Sequence, residues 1–376
     1  MNVLHTFDEL NDFIRGLTLL GTGGGGRPEA GYETLSPYLK RGDHLRWSGV
    51  EAISDNSYYC SLSGLGSIAP TTPMSVEDRV ASGYPREMDA KLPMLLALRE
   101  LERQSNKKIS GVFPVEIGAG NTTTTLATAL AAGIEMIDCD CAGGRAIPEM
   151  SQSSLALSGV SFTPAAFADP WGTVISVSNC HSNQQAERIG KAISSVTKLP
   201  DMRAQCARAA FIVDGKTLKQ VANFGSVSRA LRLGKAIGEA RIAGQDPVGR
   251  AAKELNGVVV CRGTLTEKNW QSRDGYMFGE LCITTEENAK VRIFVKNENH
   301  IVWINDAPKY TAPDLICVVQ AKTGEPFTNT AISTGESVAV VVAPAVEMHR
   351  EAKYVDALGP RHYGFEIDYL PIRKAS

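Results

Sequence analysis

The sequence lacks the long apolar segments and the targeting signals that would place it in or across a membrane. Its most apolar run, residues 338–346, is far shorter than the roughly 20 residues of a membrane-spanning helix. The first residues, MNVLHTFDELNDF, lack the basic start and the apolar core of a secretory signal. We therefore expect a soluble protein of the cytoplasm.

An excess of charge of either sign is also missing. The formal net charge is −2, so no overall field attracts the chain to nucleic acid or to an anionic membrane surface. With 376 residues, 43% of them hydrophobic, the chain is long enough for two domains with ordinary cores. We expect a small-molecule substrate rather than nucleic acid or a membrane as its partner, and a homo-oligomer is an open alternative.

Closely spaced metal ligands and paired cysteines are absent as well. The eight cysteines contain no Cys-x-x-Cys pair, and the six histidines contain neither His-x-His nor His-Glu-x-x-His. Most of the cysteines fit small buried hydrophobic positions. Cys60 and Cys141 remain alternative nucleophiles. The cofactor stays open, and Asp140, His181 and His300 are the candidate ligands of one divalent metal such as zinc.

Near its start the sequence does have a run of glycines between two predicted helices. Thr6 and Glu9 form a capping-box pattern before a helix that we expect to end near Leu20, and Pro28 suits the first turn of the next helix. Residues 21–26 formally match G-x-G-x-x-G, but a helix rather than a strand precedes them, so no nucleotide is expected. Their bare N–H groups can instead hold an anion or a carbonyl oxygen. The alternative is a flexible connector.

The middle of the chain alternates predicted strands with predicted helices. We expect strands at residues 58–62, 109–115 and 134–137, and helices at 88–104 and 122–132. This order favours a parallel or mixed sheet with right-handed crossovers. Polar residues follow the strands and are expected to meet at one edge of that sheet: Thr72, Glu116, Asn121, Asp138 and Asp140.

The second half has a different texture. Residues 226–243 lie in the longest helical pattern, and short apolar strands separated by turn signals follow residue 257. The sequence therefore predicts an α/β fold. Its N-terminal domain, residues 1–165, holds a parallel or mixed sheet with helices, and its C-terminal domain, residues 166–376, is β-rich and carries the long helix.

Several short motifs lie in one order across both halves of the chain. They are GTGGGGRP at residues 21–28, EIGAGN at 116–121, DCDCAGGRAIPE at 138–149, SRALRLG at 228–234, KNEN at 296–299, PDLI at 313–316 and the segment 359–371. Together they resemble the S-methyl-thiohydantoin desulfurase family, which is often encoded beside hydantoinase-type enzymes. The resemblance implies an α/β N-terminal domain, a β-rich C-terminal domain, and chemistry on a thiohydantoin or a related cyclic ureide.

On this resemblance we expect a hydrolase that converts a thiohydantoin to the hydantoin and releases hydrogen sulfide or a thiol. Such a reaction needs proton transfer and donors for developing charge. Glu116, Asp138 and Asp140 are the predicted catalytic carboxylates, because the two aspartates point to the same side of an extended chain. The predicted substrate contacts are Gly23, Gly24, Gly25, Thr72, Asn121, Arg145 and Glu149.

Several alternatives stay open. The Asp-x-Asp pair also fits helix capping or turn formation, and Arg145 fits either a substrate carboxylate or an internal ion pair with Glu149. At the level of function, the alternatives are a C–N hydrolase that opens a hydantoin or lactam ring and a non-catalytic ligand-binding subunit of a hydantoinase-like complex.

Overall fold

The computed structural model describes residues 2–66, 68, 75–86, 92–197 and 206–372. The helices of this part of the chain are α1 Phe7–Leu20, α2 Pro28–Lys40, α3 Val76–Ala81, α4 Pro93–Ser105, α5 Ala119–Ala132, α6 Ser154–Leu157, α7 Asn183–Thr197, α8 Gly215–Val221, α9 Ser226–Ile242, α10 Pro247–Glu254 and α11 Ala352–Leu358. The strands are β1 Asn2–Leu4, β2 Leu45–Trp47, β3 Tyr58–Leu65, β4 Ile109–Pro114, β5 Glu135–Met136, β6 Cys139–Asp140, β7 Ala165–Ala168, β8 Val174–Val177, β9 Cys206–Asp214, β10 Asn223–Phe224, β11 Val258–Arg273, β12 Tyr276–Thr285, β13 Lys290–Lys296, β14 Glu298–Ile304, β15 Ala307–Thr311, β16 Leu315–Gln320 and β17 Ser337–Ala343. Within these ranges, no helix is long and apolar enough to cross a membrane.

The first two helices begin and end as the sequence indicates. Thr6 and Glu9 form both hydrogen bonds of the capping box before α1, and the glycine run starts directly after its last residue. Pro28 is the first residue of α2. The glycine run is therefore held at both ends by a helix.

The first sheet is mixed, with strand order β5-β4-β3-β9-β7-β8. β3, β4 and β5 run parallel, and α4 and α5 connect them in turn. β9 pairs antiparallel with β3, and β7 and β8 continue the sheet beyond it. The predicted parallel or mixed sheet is confirmed as a mixed one. The predicted domain boundary at residue 165 stays a prediction, and it falls inside this sheet.

The second sheet is antiparallel, with strand order β15-β14-β13-β12-β11-β17-β16. Its buried face carries apolar residues from neighbouring strands, among them Leu281, Ile293 and Val302. The β-rich C-terminal region is therefore confirmed. The long helix predicted at residues 226–243 is α9, which packs against α1.

Two elements differ from the prediction. The helix expected from residue 88 begins at Pro93 in the described chain, since residues 87–91 lie outside it. The strand expected at 134–137 is only the two-residue β5. The chain then bends toward Ser48, whose carbonyl accepts a hydrogen bond from the Asp138 amide at 2.7 Å. It continues as β6, which pairs antiparallel with β10 instead of extending the first sheet.

Candidate active site

Glu116 lies between the end of β4 and the start of α5, at the edge of the first sheet that the sequence predicts. Its side chain is 5% exposed. One carboxylate oxygen accepts a hydrogen bond from the Ile147 amide at 2.7 Å, and the other accepts one from the Asn121 side chain. Asn121 in turn accepts a hydrogen bond from the Gly64 amide at 2.7 Å, so it connects Glu116 to the end of β3.

Burial raises the pKa of Glu116 to about 7, although the Ile147 amide and the positive charges of Arg208 and Lys191 oppose the rise. A carboxyl group with such a pKa exchanges its proton near neutral pH. It therefore meets the main requirement of a general acid–base catalyst.

A second carboxyl group, Glu298, comes from the first residue of β14 in the other sheet. Its side chain is 2% exposed, and its Oε2 atom has no hydrogen-bond partner among the described residues. Burial and the nearby charge of Glu116 raise its pKa well above the usual range. The two glutamates thus form a buried pair that resists carrying two negative charges at once.

Two cations, from β9 and α7, lie near enough to this pair for their charges to lower the pKa of Glu116. Arg208 on β9 donates hydrogen bonds to the Ser63 hydroxyl at 2.7 and 3.0 Å and to Glu187 at 3.2 Å. Lys191, one turn after Glu187 on α7, lies with its ammonium 4.2 Å from the ring centre of Tyr276. Both cations are almost fully buried.

Glu149, a predicted substrate contact, is instead bonded to Lys296 at the end of β13. His362 lies 3.9 Å away from the same carboxylate. Burial raises the pKa of Glu149, but the nearby imidazole of His362 and the charge and hydrogen bond of Lys296 outweigh it and lower the pKa to about 2. Glu149 is therefore a permanent anion, and its partner is Lys296 rather than the Arg145 that the sequence suggests.

Arg145 is 1% exposed, and protein acceptors already bind its guanidinium. It donates to the carbonyls of Ala146, Pro313, Asp314 and Asn299 and to the Thr22 hydroxyl, at 3.0–3.3 Å. A guanidinium has five N–H groups, and these bonds use all of them. Both predicted alternatives for Arg145, a substrate carboxylate and an ion pair with Glu149, are replaced by a bridge between the two halves of the molecule.

The glycine run passes directly beside the glutamate pair. A Cβ atom added at Gly24 would lie 1.9 Å from Oε1 of Glu298, and one added at Gly25 would lie 2.7 Å from the Cα of Gly118. Gly23 accepts a hydrogen bond from the Asn329 amide at 2.8 Å. The run therefore contacts both the turn that holds Glu116 and the loops of the second sheet. Only glycine allows the backbone to approach its neighbours this closely.

The backbone amides of the glycine run differ in whether they already donate a hydrogen bond within the protein. The Gly24 amide donates to the Gly21 carbonyl at 2.8 Å. The amides of Gly23, Gly25 and Gly26 have no acceptor within the described ranges. They are the donors of this run that remain for a bound ligand.

The aspartate pair lies next to this site but makes hydrogen bonds of a different kind. Asp138 accepts the amides of Val227 and Ser228 at 2.9 and 3.1 Å, which are free N–H groups at the start of α9. Asp140 accepts the amides of Ala142 and Gly144 at 2.6–3.0 Å and the Asn223 side chain. The observed contacts are helix capping and turn formation. A catalytic role for either aspartate stays a prediction.

The candidate metal ligands are not brought together. His181 is exposed just before α7, whereas His300 is buried against Tyr363 with ring centres 4.4 Å apart. Asp140 is engaged by backbone amides, and no group of three His, Cys, Asp or Glu side chains suited to a metal exists in the ranges that the structure describes. These residues therefore do not fit a metal centre. Thr72, a predicted substrate contact, lies outside the described residues.

The two cysteines considered as nucleophiles are buried thiols. Burial raises the pKa of Cys60 and of Cys141, and the charge of Asp140 raises that of Cys141 further. A raised pKa removes the thiolate that attacks carbon. These environments therefore argue against either thiol as the nucleophile.

Fold and site together define a class of protein: a mixed α/β part and an antiparallel β part with a buried pair of carboxyl groups where they meet. Two family models match the chain, the N-terminal domain of S-Me-THD-like proteins over residues 8–179 and the C-terminal domain of the same proteins over residues 181–372. The chain belongs to the S-Me-THD-like family. The resemblance to the S-methyl-thiohydantoin desulfurase family is thereby confirmed.

A crystal structure of a protein from Chromobacterium violaceum, solved by a structural genomics consortium, has the same fold. Its TM-score is 0.78 at 18% sequence identity, and the match covers 99% of this chain and 100% of that one. At this identity the similarity shows the fold alone. The comparison with curated proteins gives no match.

Part of the site was missed by reasoning from the sequence. Its members are Lys191, Arg208, Glu187, Lys296 and Glu298. Only Lys296 and Glu298 lie in a motif that carries the family resemblance, KNEN at residues 296–299. That motif was a signal for Glu298. An acidic side chain between two asparagines at a turn between strands is not needed for packing, so its presence favours a functional role.

Proposed function

We propose that the protein catalyses the hydrolytic desulfuration of a thiohydantoin, giving the hydantoin and hydrogen sulfide or a thiol. The observation that carries this proposal is the buried pair of Glu116 and Glu298 in a chain of the S-Me-THD-like family. Hydrolysis at a thiocarbonyl carbon needs one group to take a proton from water and another to return one. A pair that holds one proton at neutral pH supplies both.

The environments of the two groups assign their roles. Glu116 receives hydrogen bonds from Ile147 and Asn121, which favour its ionised form, so it acts as the base. Glu298 has an unbonded oxygen and keeps its proton, so it acts as the acid. Water oxygen bonds to the ring carbon as Glu116 takes one proton from it, and the carbon–sulfur bond breaks with its electron pair on sulfur, which Glu298 protonates. The second water proton ends on the ring nitrogen of an S-alkyl substrate or on the sulfur of a thiocarbonyl substrate, and the proton on Glu116 passes to Glu298, so the pair returns to its starting state.

Other residues of the site hold the ring or the catalytic groups. The amides of Gly25 and Gly26 and the Asn121 side chain are the donors for ring carbonyl or nitrogen groups. Asp138 and Asp140 fix the backbone from which Arg145 and Ile147 follow. We assign both aspartates a positioning role.

The test is release of sulfide or thiol by the purified protein from thiohydantoins with and without an S-methyl group. Glu116→Gln and Glu298→Gln are each expected to lower kcat/KM by about 10²–10⁴-fold, the usual contribution of a general acid or base. The matched control is Glu135→Gln on the neighbouring strand β5, where the carboxylate binds only the Ser48 hydroxyl at 2.5 Å within the described chain. Its kcat/KM is expected to stay unchanged.

Two results would contradict this function. If the protein releases neither sulfide nor thiol from any of these rings, it is not a desulfurase. If product masses show addition of water with the sulfur retained, the same carboxyl pair opens the ring, and the protein is a C–N hydrolase.

A further inference from the structure

Lys191 is a buried cation that the proposed reaction has not yet used. Its side chain is 8% exposed, and its ammonium lies 3.9 Å from Oε1 of Glu187 and 4.2 Å from the ring centre of Tyr276. In the described part of the chain this ammonium donates no hydrogen bond. Its three N–H groups are therefore available to a ligand.

The other buried cations of the site are already satisfied. Lys296 is bonded to Glu149, and Arg208 to Glu187 and Ser63. The guanidinium of Arg145 is fully used by protein oxygens. Among the described residues, Lys191 is therefore the cation of this site that remains for a bound anion.

Glu187 is the nearest anionic partner of Lys191, but at 3.9 Å it forms an ion pair without a hydrogen bond. The Oε1 atom of Glu187 is buried and makes no hydrogen bond to described residues, although it is the carboxylate atom nearest to the ammonium. Glu298 is close enough for its charge to raise the pKa of Lys191, against the lowering that burial causes. Lys191 thus lies near enough to Glu116 and Glu298 for the charges to interact, and none of these carboxylates accepts a hydrogen bond from its ammonium.

The proposed reaction produces an anion that needs such a cation. When the carbon–sulfur bond breaks, its electron pair stays on the exocyclic sulfur, while Glu116 and Glu298 are committed to proton transfer. A preorganised positive charge at the atom where negative charge develops is commonly the largest contribution to catalysis. The ring of Tyr276 and the carboxylate of Glu187 lie about this ammonium, but neither accepts a conventional hydrogen bond from it.

We propose that Lys191 is a catalytic residue that binds the exocyclic sulfur of the substrate and stabilises the negative charge that develops on it. This inference rests on the proposed desulfuration. In the S-alkyl case, water oxygen replaces sulfur on the ring carbon. One water proton ends on the ring nitrogen. The other reaches the departing thiolate through the glutamate pair, which therefore returns to its starting state.

The experiment compares two leaving groups on the same ring, S-methyl and S-nitrophenyl, in the wild-type protein and in Lys191→Met. A nitrophenyl thiolate carries its own charge well, and it needs less help than methanethiolate. We expect Lys191→Met to lower kcat/KM about 100-fold for the S-methyl substrate, the usual cost of one charge-stabilising donor. The loss for the S-nitrophenyl substrate is expected to be below about tenfold. Lys191→Arg, which keeps the charge, is expected to restore most of the difference.

Lys296→Met is the matched control, because its ammonium lies 4.4 Å from the same Tyr276 ring but is already bound by Glu149. It is expected to reduce both reactions equally. Equal losses for both substrates in Lys191→Met would overturn the role assigned to Lys191 and leave desulfuration intact. Absence of thiol release from both substrates in the wild type would reject the desulfuration itself. If Lys191→Met fails to fold, Lys191→Gln is compared instead.

Discussion

Glu116 and Glu298 have the same side chain, and the charge of Glu116 acts on Glu298, but their surroundings differ in one respect. Glu116 receives hydrogen bonds on both oxygens, from Ile147 and Asn121. Glu298 has Gly24 against one oxygen and no partner for the other within the described chain. Hydrogen bonds favour the charged form and burial disfavours it. The same fold therefore separates the pair into an ionised member and a protonated one.

The raised pKa of Glu116 predicts how activity changes with pH. A base acts only when ionised, so kcat/KM is expected to rise with pH with a midpoint near 7. At pH 5 it should then be about 100-fold below its plateau, since each pH unit below the pKa costs a factor of about ten. It should fall again at higher pH, when Glu298 loses its proton. A profile that is flat between pH 5 and 8 would exclude this pair from the chemistry.

The raised pKa of Glu116 makes stability fall as pH rises, whereas it makes activity rise. Stability is therefore an independent check on this pKa. A carboxyl group whose pKa is raised from 4.5 to about 7 contributes stability that is complete below pH 4.5 and is lost as pH rises through 7. Glu116→Gln cannot ionise. Its free energy of unfolding is therefore expected to fall less than that of the wild type between pH 5 and 8, as measured by urea denaturation.

At the scale of single elements, the start of α9 explains the position of Asp138. The helix has Gly225 at its N-cap, which provides no side chain to accept the first free amides. Asp138 supplies that acceptor from a distant part of the sequence and also binds the Ser228 hydroxyl. Its negative charge further suits the positive end of the helix dipole. The bend after β5 is therefore fixed to the longest helix that the structure describes.

Replacing this carboxylate tests the capping role against the catalytic one. Asp138→Ala is expected to lower the free energy of unfolding by about 1–2 kcal/mol, as loss of an N-terminal cap does. Urea denaturation measures this, and kcat of the folded variant is expected to change less than about threefold if Asp138 only positions the backbone. The control is Asp214→Ala, which removes the exposed cap of α8. A 100-fold loss of kcat with unchanged stability would instead make Asp138 part of the chemistry.

The aspartates also show where local sequence reasoning ends. The pattern predicted correctly that polar residues follow the strands of the first sheet, and Glu116 and Asn121 lie there. It gave no means to separate a catalytic Asp-x-Asp from one that caps a helix, because the partners of Asp138 are about 90 residues away. Capping boxes and glycine stops could be predicted because all their atoms lie within one turn of chain.

For the whole molecule, the site depends on contact between the two sheets, and this is what the sequence could least predict. Glu116 follows the first sheet, and Glu298 begins a strand of the second. Their proximity is set by the packing of two separate parts of the chain. Fold class, both kinds of sheet and the family could be predicted from periodicity and motifs. The partner of Glu116 could not, since no local pattern encodes a contact over such a separation.

Gly24 is the backbone position that permits this contact, and substituting it tests the arrangement. A Cβ atom there would lie 1.9 Å from Oε1 of Glu298, so Gly24→Ala must push the carboxyl group away. Gly24 is not among the glycines with positive φ, so the change adds no backbone strain there. We expect a loss of kcat/KM of about 100-fold or more, because displacing a catalytic group by about 1 Å costs that much. Thiol release at substrate concentrations below KM measures it.

Gly42→Ala separates this effect from a general loss of glycine. Gly42 has φ +83° and nothing within 4 Å of an added Cβ, so its substitution brings strain but no contact with the site. It is expected to lower the melting temperature while kcat/KM stays unchanged. Gly24→Ala is expected to do the reverse, with stability nearly kept and activity lost. If Gly24→Ala retains full activity, Glu298 is not held in its working position by the glycine run. The hydrogen bonds of Arg145 to the carbonyls of Ala146 and Asn299 would then be the contacts that hold the two parts of the site together.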